Sequence, residues 1–189
     1  MSLVSPQLQF VIQHTWDGQE IAISEQVRVS FESVQEGLKV SIEAPFYNDP
    51  MPDADAGSCW ELWNYEVVEA FLVGADGHYT EIEWGPGGHY LLLRLDGPRS
   101  MVDHGHEIAF SAKVTDDCWQ GQSLIPWHLL PQKITHFNLF AIHGQQDGDV
   151  DSRRYLCHSP LPAAQPDFHQ PHRFAKWPMS EYFESKHFE

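Results

Sequence analysis

The sequence has few basic residues and no long apolar run. Lys and Arg number 11 of 189 residues, against 27 Asp and Glu, and the formal net charge is -16. Nucleic acids and anionic membranes are bound through clustered cations, so this charge argues against both as partners. Neither an apolar run of about 18 residues nor a basic stretch followed by an apolar core is present. We therefore expect no membrane span and a cytoplasmic location.

Cysteine is also scarce. Cys59, Cys118 and Cys157 are widely spaced, odd in number and without a CxxC pair, which favours reduced thiols over a disulfide framework. The sequence has no Gly-rich phosphate loop and no GxSxG element. Nucleotide chemistry and acyl transfer are therefore not expected.

Short strand-like segments separated by turn residues fill most of the chain. In "LKVSIEA" every second residue is apolar, which is the pattern of a half-buried strand. The segments 67–73, 79–84 and 90–95 are joined by "GADG" and "GPGG", which predicts an antiparallel meander. Since no long amphipathic helix lies between such segments, we predict an all-β fold, an antiparallel β-sandwich of about nine or more strands.

A chain of 189 residues fits one domain. We expect residues 1–160 to form the β-sandwich. Residues 161–189 are rich in Pro, His and Phe, and we expect an irregular tail that packs on the sandwich.

Acidic side chains interrupt two predicted strands. Glu69 lies in "ELWNYEVVEAFL", and Glu81 and Glu83 lie in "YTEIEW". With Tyr65, these acids would share one face of adjacent antiparallel strands if the register allows it. Because burying an unpaired carboxylate is costly, the face is either solvated or has a specific partner for the charge.

Tryptophans stand beside these acids. Trp63 precedes the first acidic strand and Trp84 ends the second. Sugars present apolar C–H faces that stack on aromatic rings, and their hydroxyls hydrogen-bond to acids, so this combination indicates a carbohydrate site. Packing in the core is the alternative for each ring.

Metal and histidine motifs are weaker. The loop "YNDPMPDADAGSC" carries Asp49, Asp53 and Asp55, which are possible calcium ligands without the EF-hand spacing, so an ordinary acidic loop is the alternative. A second such loop contains Asp147, Asp149 and Asp151. The "DFHQPH" segment, with His169 and His172, matches no zinc motif. His143 is either a hydrogen-bonded core residue or a ligand contact near Arg154.

Six motifs in order resemble a known family. "HTWDGQEI", "ELWNYEVVEAFL", "YTEIEWGPGGHYLLL", "WQGQSLIPWHLLP", "FNLFAIHG" and "PDFH" closely resemble an uncharacterised family of small proteins known mainly as open reading frames. Through the same landmarks the chain is distantly similar to family-9 carbohydrate-binding modules. That similarity implies an antiparallel β-sandwich, a sugar-binding or sugar-processing function and often structural calcium. Those modules commonly carry Arg where this chain has His143.

Three functions are compatible with these observations. The first is a carbohydrate-binding-like domain for a small neutral sugar or polyol, with ligand contacts from Trp63, Tyr65, Glu69, Glu81, Glu83, Trp84, His143 and Arg154. The second is a small hydrolase or isomerase that uses Glu69, Glu81 and Glu83 as its acids. The third is a protein-interaction domain whose sheet face pairs with another chain.

Overall fold

The computed structural model describes residues 7–144 and 152–178. Within these ranges the chain forms thirteen strands: β1 (Leu8–Ile12), β2 (His14–Thr15), β3 (Val27–Ser33), β4 (Gly37–Pro45), β5 (Val67–Gly74), β6 (Tyr79–Trp84), β7 (Tyr90–Gly97), β8 (Ser100–His104), β9 (Ala109–Thr115), β10 (Cys118–Pro126), β11 (Ile134–His143), β12 (Arg154–Cys157) and β13 (Ala175–Lys176). Short 3-10 helices occupy Ile23–Glu25, Leu62–Asn64, Trp127–Leu129 and Pro171–Arg173. None of the helices in these two ranges is long and apolar enough to cross a membrane.

The strands form two sheets with antiparallel pairing. The small sheet has the order β1-β3-β4-β10-β9. The large sheet has the order β2-β12-β11-β5-β6-β7-β8, and β13 pairs with β11. The predicted all-β antiparallel sandwich is confirmed, including the meander of β5, β6 and β7.

The main core lies between the two sheets. The strands of the small sheet alternate buried and exposed residues, as in β4, because one face meets the core and the other meets solvent. The large sheet contributes its inner face, which includes Trp84 and Leu139. Each large apolar side chain removed from water contributes roughly 1.5–3 kcal/mol to this packing.

A second core lies on the outer face of the large sheet. Every residue of β5 and of β6 is buried, so these strands are covered on both faces. Two segments provide the cover: residues 59–65, which we call the tryptophan loop, and residues 161–177, which we call the tail segment. They bring Leu62, Leu161 and Phe174 against the outer face.

The tail segment is anchored at several points. Phe168 stacks on Phe140 of β11, with ring centroids 3.9 Å apart. Farther along, Trp177 is 2% exposed and joins the core between the sheets. Its indole ring lies near Phe31 and Phe137, with centroids 5.3 and 5.2 Å away. The tail segment therefore packs against both cores.

Candidate functional site

A cavity of about 470 Å³ lies on the outer face of the large sheet. Strands β5 and β6 contribute Glu69 and Glu81, the tryptophan loop contributes Trp60 and Trp63, and the tail segment contributes His169. The volume falls in the range of roughly 300–1,000 Å³ that is usual for small-molecule sites. The two segments that cover the second core thus leave a space between them that a small ligand can fill.

Strand register sets the floor of the cavity. Glu69 of β5 lies directly opposite Glu83 of β6, and Glu81 lies opposite Phe71. Opposed residues of an antiparallel pair point to the same side of a sheet, so the three carboxyl groups share the outer face. Their residues are only 2%, 4% and 0% exposed for Glu69, Glu81 and Glu83 respectively. The face that carries these three acids is therefore buried and not solvated.

Burial is the main cause of the raised pKa values of these three acids. It raises the pKa of Glu69 well above the ordinary value, and the charge of Glu81 adds to the effect. Burial likewise raises the pKa of Glu83, with further contributions from Glu69 and Glu81. For Glu81, burial outweighs the opposing charge of Arg99 and raises the pKa to about 8. Glu81 is therefore neutral at pH 7.

Some of these oxygens have few hydrogen-bond partners. The Glu81 and Glu83 carboxyls hydrogen-bond to each other. Within residues 7–144 and 152–178, no N–H group or hydroxyl donates to either Glu83 oxygen or to Glu81 Oε2. A buried polar atom without a partner costs roughly 1–3 kcal/mol, so most proteins avoid such groups. Glu81 lines the cavity. Its Oε2 can accept a hydrogen bond from a ligand or, when protonated, donate one to it.

A tyrosine and a histidine connect the tail segment to the floor. Tyr79 Oη accepts the backbone N–H of Arg99 at 3.3 Å and lies 2.8 Å from His169 Nδ1. From this network we assign the Tyr79 proton to the bond with Nδ1, which places the imidazole proton on Nε2. Burial, aided by the Arg99 charge, lowers the pKa of His169 to about 4, so the ring is neutral at pH 7.

His169 Nε2 faces Glu81 across the cavity floor. The distance from Nε2 to Glu81 Oε2 is 3.9 Å, which is too long for a hydrogen bond. Both groups are neutral at pH 7, so the contact is not an ion pair either. A ligand hydroxyl placed between them can reach both groups.

Arg99 lies in a turn that is unfavourable for it. Its φ is 59°, in the left-handed region, which costs a residue with a side chain roughly 1–2 kcal/mol. The guanidinium Nη2 lies 2.8 Å from Asp167 Oδ1 and therefore ties the turn between β7 and β8 to the tail segment. Strained residues of this kind are concentrated at functional sites.

The tryptophan loop presents two rings at a right angle. Glu61, with φ 62°, begins the 3-10 helix Leu62–Asn64, and this tight turn separates the two indoles. The rings of Trp60 and Trp63 lie 5.1 Å apart with an interplanar angle of 80°. Trp60 is 48% exposed, which is unusual for so large an apolar ring.

Several residues expected at a site do meet. Trp63, Glu69 and Glu81 line the same cavity. Glu83 shares their face through its pairing with Glu69. Tyr65 does not line the cavity. It is half-buried and packs against the second core.

The structure places Trp84, a predicted ligand contact, away from the cavity. Trp84 is 0% exposed and belongs to the core between the sheets. Successive residues of a strand point to opposite faces, so Trp84 faces away from Glu81 and Glu83. Core packing, the alternative considered for each Trp, is its role.

The structure also places His143 and Arg154, two further predicted ligand contacts, away from the cavity. Arg154 donates two hydrogen bonds to the Glu25 carboxylate, both at 2.8 Å. His143 Nε2 lies 3.1 Å from the same carboxylate, and the imidazole stacks on Tyr47 with centroids 3.6 Å apart. We call this cluster the Glu25 bridge. It links the helix Ile23–Glu25 to β11 and β12, and neither His143 nor Arg154 lines the cavity.

Opposing effects set the charges of the Glu25 bridge. Burial alone would raise the pKa of Glu25, but the bonds and charges of Arg154 and His143 outweigh it and lower this pKa. Burial lowers the pKa of His143 despite the nearby Glu25. Glu25 and Arg154 are therefore the ionised pair of the cluster.

Arg154→Ala is expected to destabilise the protein by about 1 kcal/mol, because Arg154 is partly exposed and solvent screens its pair with Glu25. Ligand binding in the cavity should not change. Urea denaturation measures the first effect and calorimetric titration the second. Lys113→Ala, on the exposed side of β9, is the control. Unchanged stability with lost binding would contradict a structural role.

The loop acids do not assemble into a calcium site. Asp49 is buried and accepts the Gly144 backbone N–H at 2.6 Å, whereas Asp53 and Asp55 are exposed. Asp147, Asp149 and Asp151 lie outside the described residues. Among the residues that the structure does describe, no group of three or more His, Cys, Asp or Glu side chains is arranged to hold a metal ion.

Other lining residues were not predicted. Twelve of the fifteen lining residues lie outside the predicted site, among them Arg99, Arg153, Tyr155, Phe168 and His169. One sequence signal was available for Arg99, since "DGPRS" puts it after Pro, where such turns often need Gly or Asn. Nothing local marks the others, because distant parts of the chain bring them together.

The fold and cavity define a class: an all-β sandwich with a ligand-sized cavity on its larger sheet. A solved structure of a "putative carbohydrate-binding protein" from Bacteroides uniformis ATCC 8492 has a similar fold. The TM-score is 0.67, the match covers 91% of this chain and 85% of that one, and the sequence identity is 13%. At this identity the similarity concerns the fold alone.

The chain belongs to the UPF0462 family. The Rattus norvegicus UPF0462 protein C4orf33 homolog is 39% identical over 168 residues, which cover 86% of this chain and 84% of that protein. The Homo sapiens UPF0462 protein C4orf33 is 35% identical over 190 residues, covering 96% and 88%. No family model matches the chain. The open-reading-frame family inferred from the six motifs is thereby confirmed.

Proposed function

We propose that this protein binds a small sugar or polyol in the cavity on the large sheet. The observation that carries the proposal is the meeting of exposed indole surface with buried acids: Trp60 and Trp63 line the same 470 Å³ cavity as Glu69 and Glu81. Sugars combine apolar C–H faces with many hydroxyls, and such a mixed lining complements both. The fold shared with a "putative carbohydrate-binding protein" is in keeping with this function.

The polar groups of the cavity match sugar hydroxyls. His169 Nε2–H is a donor, and Glu81 Oε2 receives no hydrogen bond from an N–H group or hydroxyl of the described chain. A hydroxyl is both a donor and an acceptor, so one such group can satisfy both residues. Binding would thereby remove the cost of leaving a buried polar atom unpaired.

The acids support binding more than hydrolysis. A glycosidase of the usual kind needs one protonated and one ionised carboxyl, so the environments must move the two pKa values apart. Here burial raises the pKa of Glu69, Glu81 and Glu83 in the same direction. No carboxyl is set apart as an ionised nucleophile, and we expect no release of chromophore from chromogenic glycosides.

The cover over the sheet also disfavours the protein-interaction alternative. Glu81 is 4% exposed beneath the tryptophan loop and tail segment. This part of the sheet face therefore has no open surface on which another chain could lie.

Trp63→Ala is expected to weaken sugar binding at least tenfold, which corresponds to about 1.4 kcal/mol of lost stacking and contact area. Tryptophan fluorescence titrated with mono- and oligosaccharides measures the effect. The matched control is Trp127→Phe, because Trp127 packs against the core between the sheets and should leave affinity unchanged. Equal affinity in Trp63→Ala and wild type would refute the proposed site.

A further inference from the structure

Two buried acids, Glu69 and Glu81, line the cavity, and Glu83 lies beside them on the same face of the sheet without lining it. Glu69 and Glu83 are directly opposed on β5 and β6, and Glu81 lies two residues from Glu83. All three are at least nine-tenths buried. In the described part of the chain, no N–H group or hydroxyl donates to either Glu83 oxygen or to Glu81 Oε2, and the two carboxyls bond only to each other there. A neutral hydroxyl can bond to one such oxygen but supplies no positive charge to a buried acid.

The aromatic rings that line the cavity form two nearly perpendicular pairs. Trp60 and Trp63 meet at 80°. Tyr155 and Phe168, which line the same cavity, meet at 76° with centroids 6.0 Å apart. A flat sugar face stacks on one ring, whereas a compact cation is attracted to the faces of several rings at once. Two perpendicular ring pairs therefore suit an ammonium group.

Two arginines also line the cavity and act against a cation. The charge of Arg99 is paired with Asp167 at 2.8 Å. The charge of Arg153 lowers the pKa of Glu69, but less than burial and the charge of Glu81 raise it. With Arg99 paired to Asp167, the two acids that line the cavity, Glu69 and Glu81, lie beside one further arginine. The net charge of -16 attracts cations to the molecule as a whole.

We propose that the ligand of this cavity is a sugar that carries a protonated amine, with the ammonium held by Glu69 and Glu81 beside the rings of Trp60 and Trp63. This inference rests on the proposed sugar-binding function and narrows its ligand class. An ammonium provides three N–H donors and one positive charge. It would give the buried acids both hydrogen bonds and a counter-charge, which a hydroxyl cannot do.

Ionisation of the acids should accompany binding. The titratable and charged groups that face Glu81 come from every element around it, namely Glu69, Tyr79, Glu83, Arg99, Arg153, Asp167 and His169. A nearby cation favours the ionised form of a carboxyl. The cation should therefore displace about one proton from the acid cluster at pH 7.

Isothermal titration of the full chain tests the proposal with four probes: D-glucosamine, D-glucose, N-acetyl-D-glucosamine and D-glucuronate. We expect glucosamine to bind at least tenfold more tightly than the other three, since N-acetylation removes the charge and keeps the ring. Titration in two buffers of different ionisation enthalpy should show proton release with glucosamine alone. Glu69→Gln and Glu81→Gln should each bring the ratio of glucosamine to glucose affinity close to one. The exposed Glu36→Gln, with the same change of charge, should leave the ratio unchanged.

The outcomes separate the two proposals. If glucose binds as tightly as glucosamine, or glucuronate binds more tightly, the amine inference is overturned and sugar binding stands. If none of the four probes, and no sugar of the fluorescence panel, gives a saturable signal, sugar binding itself fails. A preference for glucosamine that survives in both Gln variants would also overturn the assignment of the ammonium to these acids.

Discussion

Glu81→Gln will raise the free energy of unfolding by roughly 3 kcal/mol at pH 7, since each pKa unit is worth about 1.4 kcal/mol. The pKa of Glu81 is about 8 in the folded protein, against an ordinary value of 4.5. Between these two values the folded chain keeps a proton that the unfolded chain has released. Stability therefore falls as the pH rises through this window. A neutral amide has no such dependence, so the gain should be small at pH 4 and largest near pH 8.

Urea denaturation across this pH range measures the effect. Glu36→Gln is the control, because Glu36 is exposed in the β3–β4 turn and its loss should leave stability unchanged at every pH. A difference between Glu81→Gln and wild type that does not vary with pH would mean that Glu81 is ionised in the folded protein. The expected result identifies Glu81 as a residue whose presence lowers stability, as is common at binding sites.

Trp177→Ala will destabilise the protein by about 3–5 kcal/mol, the usual cost of removing a buried tryptophan. Trp177 is 2% exposed and packs between the sheets against Phe31 and Phe137. Because it anchors the tail segment, its loss should also loosen the part of the cavity lined by Phe168 and His169. We therefore expect weaker sugar binding together with lower stability.

Thermal or urea unfolding measures the first effect, and sugar titration at a temperature where the variant is folded measures the second. Trp177→Phe should retain more than half of the stability that Trp177→Ala loses, because an aromatic ring still fills the site. Near-native stability of Trp177→Ala would show that the tail segment does not depend on this anchor.

The strands were predictable where one face meets solvent. In β4, alternation of apolar and polar residues marks the strand and its inner face. Strands β5 and β6 are buried on both sides, so alternation says little about which face is solvated, and the turn residues between the strands carried the prediction of the meander. The shared face of Glu69, Glu81 and Glu83 followed from an antiparallel register that sequence could propose but not determine.

The errors have identifiable physical causes. Trp84 is one residue after Glu83, and strand parity alone places it on the opposite face. It was predicted as a ligand contact because it adjoins the acids in sequence. His143 and Arg154 were expected at a ligand, but they meet Glu25, which is more than a hundred residues away in sequence. No local pattern reports such a pairing. The same holds for Arg99 and His169, whose positions depend on how the tail segment packs.

The position of the tail segment late in the chain affects when the cavity is completed during synthesis. All thirteen described strands except β13 are complete by Cys157, so both sheets can pair before residues 161–177 leave the ribosome. The cavity lacks Phe168 and His169 until then. A nascent chain whose sheets had paired before the tail segment docked would leave Glu69 and Glu81 open to water. The proposed ligand cavity would be complete only after that docking.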